Sequence, residues 1–317
     1  LDWKATDNNS ENSRFIVAGR GFAGLAITYF LKKRFPGSHV LLYDPNPLGA
    51  SASGAASGLL EPIGGRLAIR SYRAEEGMAA TKELLDVVSA HLGEKVYQAG
   101  GILHPPMTLD QKQLYEKKVQ EHPERYAFDE EGAFLVKEGI NVFSRLYLEG
   151  LFSLVQSMGV EFVAEKAPLD DDEAKIFLAI GVGIDALFPG QFRLTRGQAM
   201  QVRKGRTTFR LPKVHKGYVA LDADPTIYHI GSTFERGTAP LMEAPPALCE
   251  RNKEIFPELS ELEVLHVRSG TRVYADEKNI PKIIAKKNFL ALTGLGSKGL
   301  LYHALYAKEL VEYYTKL

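Results

Sequence analysis

Three glycines, Gly19, Gly21 and Gly24, follow the apolar run Phe15-Ile-Val-Ala18 with the spacing G-x-G-x-x-G, and an acid, Asp44, closes a second apolar run, His39-Val-Leu-Leu-Tyr43. Residues of these types at this spacing make a cradle for a dinucleotide. The first glycine permits a tight strand-to-helix turn, and the second lets a pyrophosphate approach the backbone. The third lets the helix, opened by Phe22 and Ala23, pack closely on the strand. The helix N-terminus then offers unpaired N–H groups and partial positive charge to phosphate. Asp44 can accept hydrogen bonds from both hydroxyls of an adenosine ribose. Arg20 is expected either to touch phosphate or to stand in solvent.

Two further stretches have the same character. Gly49-Ala-Ser-Ala-Ser-Gly-Ala-Ala-Ser-Gly58 is poor in bulk and rich in hydroxyls. Placed just after the ribose-binding acid, it lets backbone, Ser51, Ala52, Ser53, Ser57 and Gly58 come close to a cofactor; the alternative is a flexible linker. Near the other end, Leu290-Ala-Leu-Thr-Gly294-Leu-Gly296-Ser297-Lys298-Gly299-Leu300 is again strand, glycine turn and helix start. A chain that opens and closes with such turns can hold two parts of one extended ligand, and the second positive helix end suits a reduced, anionic isoalloxazine edge. This favours FAD over a nicotinamide dinucleotide. Lys298 either steadies charge there or is solvated at the helix start.

The elements that must position these residues read as an α/β chain: a Rossmann-like FAD-binding unit with a parallel sheet, plus a second, antiparallel-sheet substrate unit. Residues 14–95, 138–190 and 265–317 are assigned to the first, 96–137 and 191–264 to the second, and 1–13 to a flexible N-terminal segment. Helices are expected over 71–90, 108–121, from an Asn141 cap to Met158, over 245–256 and from Leu300 onward. Short strands are expected over 161–164 and over 176–180, the second ending at Gly181; Val163 and Gly181 are counted with the cofactor residues. The stretch 192–267 alternates as strands do, including 198–202, 207–211, 218–221 and 226–230.

The chain has 317 residues, 45% of them apolar, which is enough for one large or two smaller domains. Lysine plus arginine equals aspartate plus glutamate at 39 each, which argues against a general polyanion binder. The exception is local: from Ala186 to Leu221 there is no acid, and Arg193, Arg196, Arg203, Lys204, Arg206, Arg210, Lys213 and Lys216 all fall there. Cys249 is the only cysteine, so a disulfide framework and a thiolate metal site are excluded. The histidines, His104 and His303 among them, lack metal-ligand spacing and are read as structural or surface residues, and no metal is expected. No apolar run reaches the length of a membrane span. The expected location is the cytoplasm, or an organelle matrix if a targeting segment has been removed.

With the glycine turns, the Gly49–Gly58 loop, Arg196-Gly197-Gln198, Ile230-Gly-Ser-Thr-Phe-Glu-Arg236 and Gly270-Thr-Arg272 in order, nearly the whole chain resembles the D-amino-acid oxidase, glycine oxidase and sarcosine oxidase group of FAD-dependent amine oxidoreductases. Within it, Gly-Ser-Thr-Phe-Glu-Arg-Gly and Gly-Leu-Gly-Ser-Lys-Gly-Leu are most similar to the oxidoreductase domain that finishes 5-methylaminomethyl-2-thiouridine in bacterial tRNA. The resemblance implies that Arg272 holds a substrate carboxylate, as a planar guanidinium can do bidentately, and that Tyr218 stands beside the substrate. It departs from the group's pattern at Val273, where a proline is usual.

The resulting expectation is an FAD-dependent enzyme that oxidises a CH–NH or CH–NH2 bond by hydride transfer to flavin N5, with O2 as the expected electron acceptor. Its substrate is a small amine or amino acid of glycine, sarcosine or D-amino-acid type. The alternative substrate is tRNA, from whose wobble uridine a carboxymethyl group would be removed, with the basic stretch meeting phosphates. A cofactor-free binding scaffold is the third reading, and the intact glycines and Asp44 count against it.

Overall fold

A computed structural model describes residues 13–65, 67–236, 243–275 and 279–316. The expected flexible segment 1–13 therefore lies almost wholly outside the described residues. Six strands form the first sheet, in the order 161–163, 39–43, 14–18, 175–178, 289–293 and 282–285. The first five are parallel and the last runs antiparallel to its neighbour. Alternate residues of these strands enter two cores, as period-2 side-chain alternation requires of a sheet covered on both faces. Phe15, Val17, Val40, Leu42, Phe177 and Leu290 pack under the helices Phe22–Arg34, Ala74–Leu92, Ser144–Ser157 and Gly299–Tyr314. Ile16, Leu41, Ile176, Leu178 and Ala291 face Ile184, Phe192 and Val273.

The second large sheet has nine strands and is mainly antiparallel. Its spine is the pair Arg193–Arg203 and Val264–Tyr274, antiparallel from Arg193↔Tyr274 to Val202↔Val264. Residues 265–274, grouped by sequence with the first unit, thus hydrogen-bond into the antiparallel sheet. That strand ends beside the last glycine turn, where Tyr274 bridges Leu295.

Two local expectations are corrected. Asn141 does not cap a helix: it lies in the strand Ile140–Val142, and its buried amide donates to the Leu221 carbonyl and accepts from the Leu221 N–H, both at 2.9 Å. The helix begins at Ser144 without a side-chain cap. Residues 207–211 are not a strand. The Thr207 N–H is taken by Glu258 and the Phe209 N–H by the Tyr228 hydroxyl, so side chains supply partners that a ladder would otherwise provide.

Candidate active site

The opening helix Phe22–Arg34 and the closing helix Gly299–Tyr314 both start at the C-terminal edge of the parallel sheet. Only the strand Lys175–Leu178 separates the strands that feed them. At ordinary strand spacing their N-termini stand roughly 10 Å apart along that edge. Neither helix has an acid in its first turn or a hydrogen bond from its own N-cap side chain, so no charge within the first turn offsets either dipole.

At the opening end, Gly19 has φ +102°, and a Cβ there would stand 2.3 Å from the Ala179 carbonyl oxygen. A Cβ on Gly24 would stand 1.8 Å from the Gly19 oxygen, so only glycine lets the helix settle onto the turn. The Phe22 N–H donates to Ser53 Oγ at 3.1 Å, and Ser51 Oγ lies 3.8 Å from where a Gly21 Cβ would be. The hydroxyl-rich loop therefore closes directly over the helix end. Asp44 Oδ2 accepts the Arg20 N–H at 2.8 Å and Oδ1 accepts the Asn46 N–H at 2.9 Å; a carboxylate with about four lone-pair sites can still receive ribose hydroxyls. The Asp44 N–H donates to Val163 at 3.1 Å, which fixes the adjoining strand end. Arg20 does not simply stand in solvent: its guanidinium lies 4.0 Å from the Phe162 ring centre and bonds the Asn46 carbonyl. Gly181, at φ +54°, turns the chain between the two helix ends. Gly58 packs against Val142, whose oxygen a Cβ there would meet at 1.8 Å.

At the closing end, Gly294 and Gly296 have positive φ and lie under Ala275 and the Tyr274 ring, while a Cβ on Gly299 would meet nothing within 4 Å. Ser297 is exposed and Leu300 is buried. Lys298 is not simply solvated: its ammonium donates to the Ile63 carbonyl, and burial lowers its pKa while Glu61 raises it, leaving it below the ordinary value.

The antiparallel sheet faces the loop. A Cβ on Gly270 would stand 2.7 Å from Ala52 Cα, and Arg268 donates to the Gly54 oxygen at 3.2 Å. Register puts Thr195 opposite Arg272, Gly197 opposite Gly270, Ala199 opposite both Arg268 and Gly231, and Gly231 opposite Tyr218. Directly opposed residues share a face, so Arg272 and Tyr218 lie on the face that meets the loop. The Arg272 guanidinium sits 4.8 Å from the Phe234 ring centre and reaches Ser232 Oγ at 3.4 Å, and its buried Nη1 has no partner. An unpaired buried guanidinium nitrogen is a ready place for a carboxylate. Tyr218 packs over Gly231, next to Ser232, and its hydroxyl bonds Ser57 at 2.9 Å.

Sequence reasoning did not single out Glu61, and it read His104 as a structural or surface residue without its partner. His104 Nε2 donates to Glu61 Oε2 at 2.8 Å, with both side chains largely buried. Tyr218 pairs with Val214, and because Lys213 pairs with Leu103 in parallel, the next position along is His104, on the same face. No motif signals a contact between residues 43 positions apart. Elsewhere on the sheet a cleft of about 400 Å³ lies between Arg145, Glu149, Gln201, Asp222 and His266. Among the described residues no cluster could hold a metal ion, and no helix is long and apolar enough to cross a membrane.

The family model described as FAD dependent oxidoreductase matches residues 14–313. Solved structures share the fold: glycine oxidase from Bacillus cereus ATCC 14579 has a TM-score of 0.78 at 18% identity, covering 96% of this chain and 95% of that one. Iminodiacetate oxidase from Chelativorans sp. BNC1 follows at 0.75 and 17%, covering 95% of each chain. L-alpha-glycerophosphate oxidase from Mycoplasma pneumoniae, with FAD bound, has a TM-score of 0.75 at 17% identity, covering 95% of this chain and 94% of that one. No curated protein matches the chain. The chain belongs to the FAD-dependent oxidoreductase family, and FAD is its cofactor.

Proposed function

We propose that this FAD-dependent oxidoreductase oxidises the C–N bond of a small amine that carries a carboxylate, of the glycine, N-substituted glycine or D-amino-acid kind. The observation that carries the reading is Arg272, whose Nη1 is buried and unpartnered on the sheet face that meets the cofactor loop. Bound FAD would supply the two-electron acceptor for a hydride leaving the substrate carbon. Gly21, Phe22, Ala23, Gly24, Ser51 and Ser53 would hold its pyrophosphate, Asp44 its ribose, and Gly294 to Leu300 its other end.

The chain's own contribution is orientation. Arg272 would take the carboxylate as a bidentate pair, with Phe234 backing the guanidinium, and so fix which C–H bond is presented. Tyr218, anchored on Ser57, would close the site between loop and sheet and exclude water. A substrate amine that arrives neutral needs no protein base for hydride loss, and water then hydrolyses the imine. Two of the oxidases that share the fold carry glycine and iminodiacetate in their names, which supports the substrate class.

The basic stretch gives little support to tRNA as the substrate. Arg203 pairs with Glu263, Arg206 with Glu258, Lys213 with Glu131 and Lys216 with Glu254. Mixing the FAD-loaded protein anaerobically with glycine, sarcosine, D-alanine or bulk tRNA separates these readings. Bleaching of the visible flavin band by one of the three small molecules is expected. Bleaching by tRNA alone, or by none of the four, overturns the assignment.

A further inference from the structure

Three segments converge at one end of the antiparallel sheet: the turn before Tyr218, the stretch Ser232 to Phe234, and the end of the helix Ala244–Asn252. That helix is held on the far face of the sheet by Leu248, which packs with Met200, Val219 and Ile230. Its last residue, Asn252, is buried, and a Cβ on Gly217 would stand 2.5 Å from the Asn252 amide. The helix end is thus pressed onto the turn, where Arg251 donates to the Lys216 carbonyl. The Arg251 guanidinium lies 5.8 Å from the Phe234 ring centre, and the Arg272 guanidinium lies 4.8 Å from the same ring.

We propose that the substrate carries a second carboxylate, and that Arg251 binds it while Arg272 takes the carboxylate beside the reacting carbon. The inference rests on the reading of Arg272 as the carboxylate clamp, and it narrows the substrate to an amine with two acidic ends.

The physical case begins with what the two cations lack. The acids nearest Arg251 in the chain are engaged elsewhere, Glu250 with Lys253 at 2.7 Å and Glu254 with Lys216 and His215. Beside the ring, Glu235 accepts the Thr233 hydroxyl at 3.0 Å. The buried Nε of Arg251 has no partner, just as the buried Nη1 of Arg272 has none. Two guanidiniums that share one ring and no carboxylate are what a ligand with two anionic ends would neutralise. Phe234 between them is 50% exposed, so the surface that joins them is open to a ligand. Because both cations stand within 6 Å of one ring centre, a ligand only a few bonds long can touch both.

The test compares substrate pairs of one shape that differ only in distal charge: N-(β-carboxyethyl)glycine against N-(β-carbamoylethyl)glycine, and D-glutamate against D-glutamine. The readout is the acid-to-amide ratio of kcat/KM for the FAD-loaded protein, in which the contribution of Arg272 cancels. Wild-type protein should prefer the acid about tenfold in at least one pair, chiefly through KM. Arg251→Gln, whose amide can still donate to the Lys216 carbonyl, should bring that ratio close to one. Arg251→Lys should keep most of it, an outcome that follows charge and that a merely structural role would not produce. A ratio near one in both pairs for the wild type, or the wild-type ratio in an FAD-retaining Arg251→Gln protein, would overturn the proposal. If Arg251→Gln fails to hold FAD, Arg251→Met carries the same test with the same outcomes. Flavin bleaching by none of the four compounds and not by sarcosine would refute the Arg272 reading itself.

Discussion

At the scale of single residues, Arg272 carries the substrate assignment. Its guanidinium is framed by Phe234, Ser232 and Gly197, where a Cβ would stand 2.6 Å from Nη1. A charge-assisted pair lost from such a place is worth roughly 1.5–3 kcal/mol. Arg272→Ala should therefore raise KM for the carboxylated amine about 10- to 100-fold with FAD content unchanged, and Arg272→Lys should recover little, because an ammonium cannot form the planar fork. Steady-state kinetics beside the flavin absorbance of each variant checks this, and unchanged KM in the alanine variant would remove the clamp. Arg272 could be singled out in the sequence through the family resemblance, because it stands in the run Gly270-Thr-Arg272. Its unpaired state was not legible, since that depends on the segment Gly231 to Phe234 crossing beside it. Asn141 shows the same limit: three residues before a helix it reads as a cap, but the tertiary partner Leu221 claims both ends of its amide.

At the scale of elements, the two glycine turns were the most legible parts. A tight turn, a close approach and a helix start each impose a residue type at a fixed spacing, and Gly19 and Gly24 meet backbone oxygens that no side chain could face. The stretch 207–211 was misread because alternation cannot reveal that Phe209 is drawn into the core with Tyr228 and Phe256. The closing helix also carries a pH-dependent element that spacing does not reveal. His303 is fully buried and accepts the Tyr147 hydroxyl at Nε2, while Nδ1–H donates to the Leu300 carbonyl. Burial lowers its pKa from 6.5 to about 4. The folded state thus prefers neutral imidazole: nothing is lost above pH 6.5, and stability falls as pH drops from there towards 4. The loss below pH 4 amounts to about 3 kcal/mol. His303→Gln should be less stable at neutral pH but show a shallower fall of Tm across that window. Parallel Tm profiles for the two proteins would contradict the assignment.

At the scale of the whole molecule, two sheets meet at a seam of small residues. Gly270 lies on Ala52 and Gly296 under Tyr274, so the chain packs closely where cofactor loop, substrate sheet and closing turn converge. The overall α/β plan and the two glycine turns were visible in the sequence because each is a local pattern. The seam was not, because it depends on which strands lie side by side. The account as a whole depends on two helix ends holding opposite parts of one FAD molecule. Calorimetric titration of the apoprotein with ADP and with FAD tests this most directly, using Gly299→Trp, whose new side chain would enter the open space at the closing helix, beside Gly21→Trp. Gly299→Trp should bind ADP as the wild type does while its affinity for FAD falls to that for ADP, and Gly21→Trp should lose both ligands. Wild-type FAD affinity in Gly299→Trp would show that the closing helix end does not hold the cofactor, and the reading of this site would fall with it.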